Sequence, residues 1–354
     1  MRTSDRKLEH IRICLERNVE SDYTGFEDVV LIHKAIPEID FDEINTEVEF
    51  FKKKLSAPFI IASMTGGHPE AKEINKNLAI AIEELGLGMG VGSQRAGIEN
   101  RSLMDSFTVV RDYAPNAFIY ANIGMPQVLK HGIEFVEKAI EMIDADAIAI
   151  HLNYLQEVIQ PEGDLNAKGC FSVLEEICSS IKVPVIVKET GAGISREIAL
   201  RLKSVGVSAI DVGGKGGTSW SVVEAYRSKG IKRDLGFNFK DWGIPTAFCI
   251  AECYDVLPVI ATGGIRNGLD LAKSIALGAK LGSSALPFLK RAVKNANAVK
   301  ELLEYYIEGL RISMFLTGCK HVYDLKNVRI FIKGDFKDWL EIRGYDVLEF
   351  CKRR

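Results

Sequence analysis

The stretch Asp146-Ala-Ile-Ala-Ile-His-Leu-Asn-Tyr-Leu-Gln-Glu157 decides the fold. Its first half alternates small and branched residues, which is typical of a strand with two different faces. The small-residue face becomes polar at His151 and Asn153, and Gln156 and Glu157 follow at once. A strand whose inward face turns polar at its carboxyl end is typical of the mouth of an α/β barrel. The alternative is a strand end with a hydrogen-bonded histidine and a solvated glutamate, so the rest of the chain decides.

The composition is that of a globular protein of enzyme size. Of the 354 residues, 47% are hydrophobic and 26% are charged, which allows a large buried core. The net charge of −3 at pH 7 argues against a nucleic-acid partner. No apolar run approaches the ~20 residues of a membrane span, and the polar N-terminus lacks the pattern of a signal peptide. The seven cysteines include no Cys-x-x-Cys pair. We therefore expect a cytoplasmic protein with neither a membrane nor a nucleic acid as its partner.

A strand–helix alternation runs from Ala57 to about residue 315. Eight short apolar segments predict strands, at residues 59–63, 88–92, 118–122, 147–152, 185–188, 209–212, 259–261 and 280–283. Helical patterns lie between most of them, at residues 71–85, 127–143, 172–181, 197–205, 247–254 and 269–277. Eight strands in this order predict a (β/α)₈ barrel. A doubly wound sheet is the alternative, because strand count alone does not prove closure.

The chain divides into three predicted parts. Residues 58–316 form the barrel, and the polar residues 1–57 form an N-terminal extension with a helix that ends near Glu16. Residues 317–354 form a C-terminal appendage with a strand at 328–332 and an amphipathic helix at 336–342. One connection is unusually long: residues 213–245 follow the sixth strand, and loops of that length are usually lids or ligand-binding loops.

Two late loops have the composition of a phosphate site. Thr262-Gly-Gly-Ile-Arg-Asn267 follows the seventh strand and Gly282-Ser-Ser-Ala-Leu286 follows the eighth, where barrels commonly hold phosphate. Their glycines let backbone N–H groups approach an anion, and Arg266 or a helix N-terminus can neutralise it. Turns need glycine in any case, so the prediction depends on finding two such loops at these two positions.

Polar residues also end most of the other predicted strands. Lys188 ends the fifth, where it can form a Schiff base, place a positive charge against a ligand, or simply reach solvent. Asp211 ends the sixth, which is an unusual place for a carboxylate without a partner. Asn122 ends the third, and Ser63 and Ser93 lie at the ends of the first and second. This convergence favours a functional site at the barrel mouth.

The N-terminal Arg6-Lys7-Leu-Glu-His10 presents three basic side chains at helical spacing. Arg6 and His10 are four residues apart and Lys7 and His10 three, so all three can share one helix face. Two cations in the first turn of a helix are repelled by the positive end of the helix dipole. A bound polyanion would be attracted by both and would offset that repulsion. An ordinary solvated basic turn is the alternative.

Together these residues resemble the FMN-dependent type 2 isopentenyl diphosphate isomerases over nearly the whole chain. The matching motifs follow the family's order: Arg6-Lys7-x-x-His10, Ser63-Met-Thr-Gly-Gly67, Gly92-Ser-x-Arg95, Asn122-Ile-Gly124, His151-Leu-Asn153 with Gln156-Glu157, Lys188-Glu189, Gly216-Gly-Thr218, Gly263-Gly-Ile-Arg266 and Ala285-Leu286. The N-terminal motif combined with the motif from His151 to Glu157 is highly specific, whereas many FMN barrels share the late glycine loops.

The resemblance implies a role for each motif residue. The residues implied for FMN are Ser63, Met64, Thr65, Ser93, Asn122, Lys188, Asp211, Thr218, Gly263, Gly264, Ile265, Arg266, Ala285 and Leu286. Those implied for the substrate are Arg6, Lys7, His10, Ser93, Gln94, Arg95 and Gln156. Gln156, His151 and Asn153 are implied as catalytic residues beside the isoprenoid carbons. Glu157 is implied as the ligand of Mg²⁺, which prefers oxygen ligands and bridges phosphates.

The implied reaction is a reversible 1,3-proton shift between isopentenyl and dimethylallyl diphosphate with no net redox change. Protonating an unactivated alkene creates a tertiary cation, so the reduced form of FMN is expected to act as acid and base and to stabilise that charge. The resemblance also implies NADPH as the reductant. We expect a homo-oligomer, a tetramer or larger.

Two other functions remain open from the sequence. An FMN-dependent oxidoreductase of the 2-hydroxy-acid oxidase type resembles the chain in its late phosphate loops and its strand-five lysine. The resemblance fails after the sixth strand. That class is expected to have a catalytic His and Arg close together there, whereas this chain has Asp211-Val-Gly-Gly-Lys-Gly-Gly217. The second is a non-catalytic phosphate-binding barrel, against which the polar strand ends argue.

Overall fold

The computed structural model describes the backbone of residues 3–351 and the side chains of residues 6–351, so residues 1–2 and 352–354 of the two predicted terminal parts lie outside the described residues. Eight parallel strands form a closed barrel, which confirms the predicted (β/α)₈ fold over the doubly wound sheet. In chain order they are β1 Phe59–Ile61, β2 Gly88–Gly90, β3 Phe118–Gly124, β4 Ala147–Leu152, β5 Val185–Glu189, β6 Ala209–Asp211, β7 Val259–Thr262 and β8 Leu281–Ser284. The barrel closes where β8 pairs with β1.

The strand register brings predicted site residues side by side at the carboxyl end of the barrel. His151 on β4 pairs with Lys188 on β5, and Lys188 pairs with Asp211 on β6. Because parallel strands leave their carboxyl ends at one rim, the side chains and loops that follow these positions face a common opening.

Helices surround the barrel and cover its rims. Within the described residues the α-helices are Thr3–Glu16, Pro69–Leu85, Arg95–Glu99, Asp105–Tyr113, Met125–His131, Ile133–Ile143, Tyr154–Ile159, Cys170–Ser180, Arg196–Ser204, Trp220–Arg227, Gly230–Asn238, Thr246–Cys253, Gly268–Leu277, Leu286–Ala292, Ala296–Thr317, Gly334–Ile342 and Val347–Cys351. Their starts and stops follow ordinary capping chemistry. The helix Gly268–Leu277, for example, begins where the Asn267 side chain accepts the N–H of Asp270, and it ends at the left-handed Gly278.

Two sequence predictions about helices were wrong. The helical pattern at residues 127–143 is two helices, because Gly132 breaks it with a φ of +68°. The connection at residues 213–245 is not an unstructured loop, since it contains the helices Trp220–Arg227 and Gly230–Asn238. Each of these helices is only eight or nine residues long, so its periodicity covers little more than two turns. The remaining predicted elements differ from the observed ones by a few residues at their ends.

The two terminal segments pack against each other and against the barrel. The strand Val29–Leu31 pairs antiparallel with Ile330–Ile332. A second antiparallel pair, Val48–Phe50 with Lys53–Leu55, precedes the barrel. The ring of Phe336 stacks on Phe248 of a barrel helix at 4.6 Å between centroids. Among the described residues, no helix combines the length and the apolar character needed to cross a membrane.

Candidate active site

One cavity opens at the carboxyl rim of the barrel, and we call it the mouth cavity. Most of the residues singled out from the sequence line it: Arg6, Lys7, His10, Ser63, Met64, Thr65, Ser93, Arg95, Asn122, His151, Asn153, Gln156, Glu157, Lys188, Thr218, Gly263, Gly264, Arg266, Ala285 and Leu286. These residues come from the N-terminal helix and from the ends of all eight strands or the loops that follow them, so the fold gathers positions spread over some 280 residues.

Gln94 does not lie where the resemblance implied. Its side chain is fully buried behind β3, where Oε1 accepts the N–H of Asn122 at 2.9 Å and Nε2 donates to the carbonyl of Ala139 at 2.8 Å. Both ends of the amide are therefore occupied by backbone groups. Gln94 supports the strand that carries Asn122 and is not available to a substrate in this structure.

Asp211 and Ile265 also lie behind the cavity wall. Oδ2 of Asp211 is 3.2 Å from Nζ of Lys188, and Oδ1 accepts the N–H of Gly213, so this carboxylate reaches the cavity only through the lysine. Ile265 is fully buried, and its carbonyl accepts the hydroxyl of Tyr306 at 3.1 Å. Neither side chain contacts the mouth cavity directly.

One side of the mouth cavity is built of backbone, and we call it the glycine wall: residues 213–218 after β6, 263–266 after β7 and 284–286 after β8. Gly263 and Gly264 have φ values of +116° and +76°, which L side chains rarely adopt. A Cβ on Gly264 would lie 2.3 Å from the carbonyl oxygen of Gly216, and one on Gly217 would lie 2.8 Å from the nitrogen of Gly264. The loops after β6 and β7 therefore touch through backbone atoms alone.

The side chain of Arg266 has a partner that the sequence did not suggest. Its Nε donates to Oε1 of Glu20 at 2.9 Å, and Nη2 contacts the same oxygen. Glu20 belongs to the segment that follows the N-terminal helix, and the neighbouring Ser21 accepts the N–H of Gly216 at 2.8 Å. The N-terminal extension therefore forms the outer edge of the glycine wall.

The inner surface of the cavity carries polar groups without protein partners. Oγ1 of Thr65, Oγ1 of Thr262 and Oδ1 of Asn153 are buried and have no hydrogen-bond partner within residues 6–351. Buried polar atoms are otherwise almost always paired, so unpaired ones that line a cavity are groups a ligand would satisfy. With the glycine wall and the Lys188 ammonium, they fit a flat, polar-edged, phosphate-bearing cofactor such as FMN.

His151 is held as a neutral ring. Asn122 donates its amide to the carbonyl of Val91 at 3.1 Å, so its Oδ1 faces Nδ1 of His151, 2.8 Å away, and that nitrogen is the donor. Burial, together with the charges of Lys7 and Lys188, lowers the pKa of His151 to about 3. At neutral pH His151 therefore carries one proton, directed at Asn122, and is not a cationic acid.

A buried carboxylate, Glu224, holds the amide of Gln156. Gln156 donates Nε2 to Oε1 of Glu224 at 2.8 Å, and its Oε1 accepts from Asn153 at 3.1 Å. His10 lies 2.8 Å from the same Glu224 oxygen through Nε2. Burial alone would raise the pKa of Glu224, but the hydrogen bond from His10 and the charge of Arg227 keep that pKa below its usual value. Sequence reasoning missed Glu224, because it lies inside the segment interpreted as a long loop.

Glu157 is oriented by neighbours on its own segment. Its Oε1 accepts a hydrogen bond from Nδ2 of Asn153 at 2.9 Å. Its Oε2 accepts hydrogen bonds from the backbone N–H of Asp164 at 2.8 Å and from Nε2 of Gln160. No group of three or more His, Cys, Asp or Glu residues able to hold a metal occurs among residues 6–351. Glu157 alone therefore fits a Mg²⁺ ion that takes its remaining ligands from phosphate oxygens and water.

Another part of the cavity lining is charged, and we call it the charged wall: Arg6, Lys7 and His10 of the N-terminal helix and the cavity-lining residues of 153–164. Burial and the neighbouring charges of Arg6 and Arg95 lower the pKa of Lys7 to about 8. Arg6 lies 3.7 Å from Glu162 and Arg95 pairs with Glu99 at 2.8 Å, whereas the buried Lys7 ammonium has no ion pair within residues 6–351. An anionic ligand would supply the negative charge that Lys7 lacks. Arg95, from the loop after β2, adds its charge from the adjacent rim.

Comparison with known proteins agrees with this geometry. Residues 151–331 match the family model of FMN-dependent dehydrogenases. Among solved structures, a mandelate oxidase with (S)-2-phenylpropionate superposes with a TM-score of 0.64 at 18% identity, covering 94% of this chain and 99% of that one. A putative lactate oxidase of Pediococcus acidilactici gives 0.62 at 19% identity, with coverages of 92% and 87%. At such identities the likeness shows the fold alone. The class, a barrel of the FMN-dependent dehydrogenase family, rests on the match of residues 151–331.

Much nearer relatives are isomerases. The isopentenyl-diphosphate delta-isomerase of Archaeoglobus fulgidus is 65% identical over 345 residues, which is 97% of this chain and 100% of the relative. That of Methanosarcina mazei is 54% identical over 351 residues, covering 98% and 96%. The chain therefore belongs to the isopentenyl-diphosphate delta-isomerase family and is an isomerase, which confirms the resemblance seen in its motifs.

Proposed function

We propose that the protein interconverts isopentenyl and dimethylallyl diphosphate by a 1,3-proton shift, with reduced FMN on the glycine wall and Mg²⁺ on the substrate diphosphate. One observation supports this most strongly: a single cavity is lined both by three cations, Arg6, Lys7 and Arg95, and by the backbone of the glycine wall. The 2-hydroxy-acid oxidase alternative has less support, because the segment after β6 presents glycines and no His–Arg pair.

The glycine wall and Lys188 are proposed to hold FMN. Residues 263–266 and 284–286 would take the phosphate on backbone N–H groups, and Ser63, Met64, Thr65, Ser93, Asn122 and Thr218 would line the ring. Arg266 would contribute charge at the phosphate end, where Glu20 now holds it. Reduced FMN supplies an electron-rich ring and a group able to carry a proton. Lys188 places a positive charge near that ring, and Asp211 keeps the lysine in position.

The charged wall is proposed to hold the substrate. Arg6, Lys7, His10, Ser93 and Arg95 would bind the diphosphate through charge-assisted hydrogen bonds. Glu157 would hold Mg²⁺ between itself and the phosphate oxygens, because its two carboxylate oxygens are already oriented by Asn153 and Asp164. This arrangement leaves the hydrocarbon end of the substrate directed into the barrel.

Gln156, His151 and Asn153 are the proposed catalytic residues at that hydrocarbon end. Glu224 fixes the amide of Gln156, so its position does not depend on the substrate. His151, neutral at physiological pH, orders the polar rim without adding a charge. The unpaired Oδ1 of Asn153 is an acceptor within the cavity. These groups would place a developing cation among oriented dipoles, which is how preorganised sites lower such barriers.

The proposal extends to three properties of the whole protein. NADPH is the proposed reductant of FMN, the cytoplasm the proposed location, and a homo-oligomer of four or more subunits the proposed assembly. NADPH follows from the family resemblance, and the location follows from the composition of the sequence.

The function is tested by following purified protein with isopentenyl diphosphate, FMN and Mg²⁺ under anaerobic conditions. We expect dimethylallyl diphosphate to form only after reduction, with far less NADPH consumed than product made. Consumption of one NADPH per product would support the oxidoreductase instead. Protein that binds no FMN at all would support the non-catalytic phosphate-binding barrel.

A further inference from the structure

Arg227 is a buried cation that no step of the proposed chemistry uses. It ends the helix Trp220–Arg227, and only 4% of its side chain is exposed. Nε donates to Oε2 of Glu9 at 2.8 Å, Nη2 to Oε1 of Glu162 at 2.8 Å, and Nη1 to Oε2 of Glu224 at 2.5 Å. A single guanidinium therefore contacts three carboxylates.

These three carboxylates belong to three separate segments. Glu9 lies on the N-terminal helix, Glu162 in the loop after the helix Tyr154–Ile159, and Glu224 one turn before Arg227 on its own helix. A guanidinium presents its donors in a fixed planar fork and stays charged even when buried. An ammonium group also has three donors, but all three leave one nitrogen, so it could not keep contacts that Nε, Nη1 and Nη2 of Arg227 now make separately unless the carboxylates moved. The contact pattern therefore requires arginine specifically.

Two of the three segments also carry residues of the charged wall, and the third carries Glu224, which contacts them. On the N-terminal helix, His10 contacts Glu224 at 2.8 Å, and Arg6 lies 3.7 Å from Glu162. On the segment after β4, Gln156 donates to Glu224. Arg227 is thus the common partner of the groups that hold both the proposed diphosphate site and the proposed catalytic amide.

The rest of the N-terminal helix is anchored differently. Ile11 and Cys14 are each 6% exposed and pack into the hydrophobic core. The preceding turn, which carries Arg6 and Lys7, is held by polar contacts of Glu9 and His10 and by the ring of His10 against Trp220 at 5.2 Å. Loss of Arg227 should therefore loosen the first turns of the helix and leave its later turns in place.

We propose that Arg227 is the positioning residue that fastens the N-terminal helix over the mouth cavity, so that Arg6 and Lys7 can meet the substrate diphosphate. The fastening follows from the contacts of Arg227, whereas the identity of the substrate rests on the proposed function. Arg227 does not line the cavity, so it acts through Glu9, Glu162 and Glu224.

The test compares two variants with a matched control. Arg227→Lys keeps the charge and loses the fork, and Glu9→Gln removes one partner at a position that is 38% exposed, where unfolding is not expected. The control is Arg343→Lys. Arg343 also contacts two carboxylates, Glu252 and Glu197, but at the junction of the C-terminal appendage with the barrel helices.

Amide hydrogen exchange of the FMN-bound enzyme reports the fastening directly. In Arg227→Lys we expect exchange in residues 6–10 to accelerate about tenfold or more, with a smaller increase in Glu9→Gln and none in Arg343→Lys. The KM for isopentenyl diphosphate should rise about tenfold in Arg227→Lys, with a smaller change in kcat. FMN affinity should stay within about twofold of the wild type, because the glycine wall is not part of this network.

Two results would overturn the proposal. The first is unchanged exchange in residues 6–10 of Arg227→Lys. The second is a loss of FMN affinity together with faster exchange throughout the barrel, which would make Arg227 a general structural residue. A wild-type enzyme that does not act on isopentenyl diphosphate would contradict the proposed function, whereas the exchange result would still decide whether Arg227 fastens the helix.

Discussion

The two sides of the mouth cavity are built on different principles. The glycine wall is mostly backbone, and its shape depends on glycines at positive φ that let the loops after β6 and β7 touch. The charged wall is made of long side chains whose positions are set by a buried network around Glu224 and Arg227. Both walls join segments that are far apart in the sequence, 246 residues at Arg266 and Glu20 and 218 residues at Arg227 and Glu9. The glycine wall is shaped mainly by backbone atoms in close approach, whereas the charged wall depends on contacts between side chains.

This difference indicates a division of labour. Backbone N–H groups can cradle a permanent cofactor with little rearrangement, because their geometry is fixed by the fold. Side chains held by ion pairs can be displaced, as is useful for a substrate that enters and leaves at each turnover. The walls should therefore respond to mutation independently, and the predictions below test that independence.

The largest effect is expected at the metal. Glu157→Gln keeps the shape of the side chain and removes its charge, so Mg²⁺ should bind far more weakly and turnover should fall by about 100-fold or more. FMN affinity should be nearly unchanged, because Glu157 belongs to the charged wall. Mg²⁺ titrations of activity would measure the change, and an unaltered Mg²⁺ response would remove the assigned role.

Arg6 and Lys7 should come next. Each alanine variant loses a charge-assisted contact of about 1.5–3 kcal/mol, which corresponds to a KM higher by roughly 10- to 100-fold. The double variant should be worse than either single one. Arg12→Ala is the matched control, since Arg12 is exposed on the same helix and does not face the cavity. Equal KM values in all these variants would show that the basic turn is merely solvated.

A change on the glycine wall should affect the cofactor alone. In Gly264→Ala the new Cβ would lie 2.3 Å from the carbonyl oxygen of Gly216, whereas Gly344→Ala combines a similar φ of +81° with open space. Both variants place an alanine at positive φ and therefore share that backbone strain. A difference in FMN affinity between them would be due to the contact of the new Cβ with Gly216 in the glycine wall. We expect the FMN Kd of Gly264→Ala to be about tenfold or more above that of Gly344→Ala. Equal flavin retention would place the phosphate elsewhere.

The smallest effect should be a pH dependence of substrate binding. The pKa of Lys7 is about 8 because of burial and the charges of Arg6 and Arg95. Below that pH the side chain is cationic and attracts the diphosphate, and above it the attraction is lost, so KM should rise by a few-fold between pH 8 and 9. The arginine in Lys7→Arg stays charged over this whole pH range, so the rise of KM between pH 8 and 9 should be much smaller in that variant. If KM of Lys7→Arg rises between pH 8 and 9 as much as that of the wild type, the rise is due to another group.

The sequence was sufficient for the barrel and for much of the site. Strand ends are where barrels collect polar residues, so Lys188, Asn122 and His151 could be recognised from their positions alone. The glycine pair after β7 and the Gly282-Ser-Ser-Ala-Leu286 stretch at the end of β8 could be recognised for the same reason. Gln94 shows the limit, since nothing in the motif reveals that its amide turns inward to the backbone of Asn122 and Ala139.

Long-range side-chain networks could not be predicted in this way. Glu224 and Arg227 lie in a segment whose helices are only eight and nine residues long, and their partners are up to 218 residues away. A Glu and an Arg three residues apart on a helix are most often a solvated pair. Only the folded arrangement shows that this pair is buried and that it joins the N-terminal helix to Gln156.

The central claim is a proton shift without net redox change, and isotope placement tests it most directly. Isopentenyl diphosphate would be converted in D₂O with reduced FMN and Mg²⁺, and the product would be analysed by NMR. Protonation at the alkene terminus converts that carbon to a methyl group, so deuterium should appear in a methyl group of dimethylallyl diphosphate. Product formed without deuterium in that methyl group would contradict the mechanism.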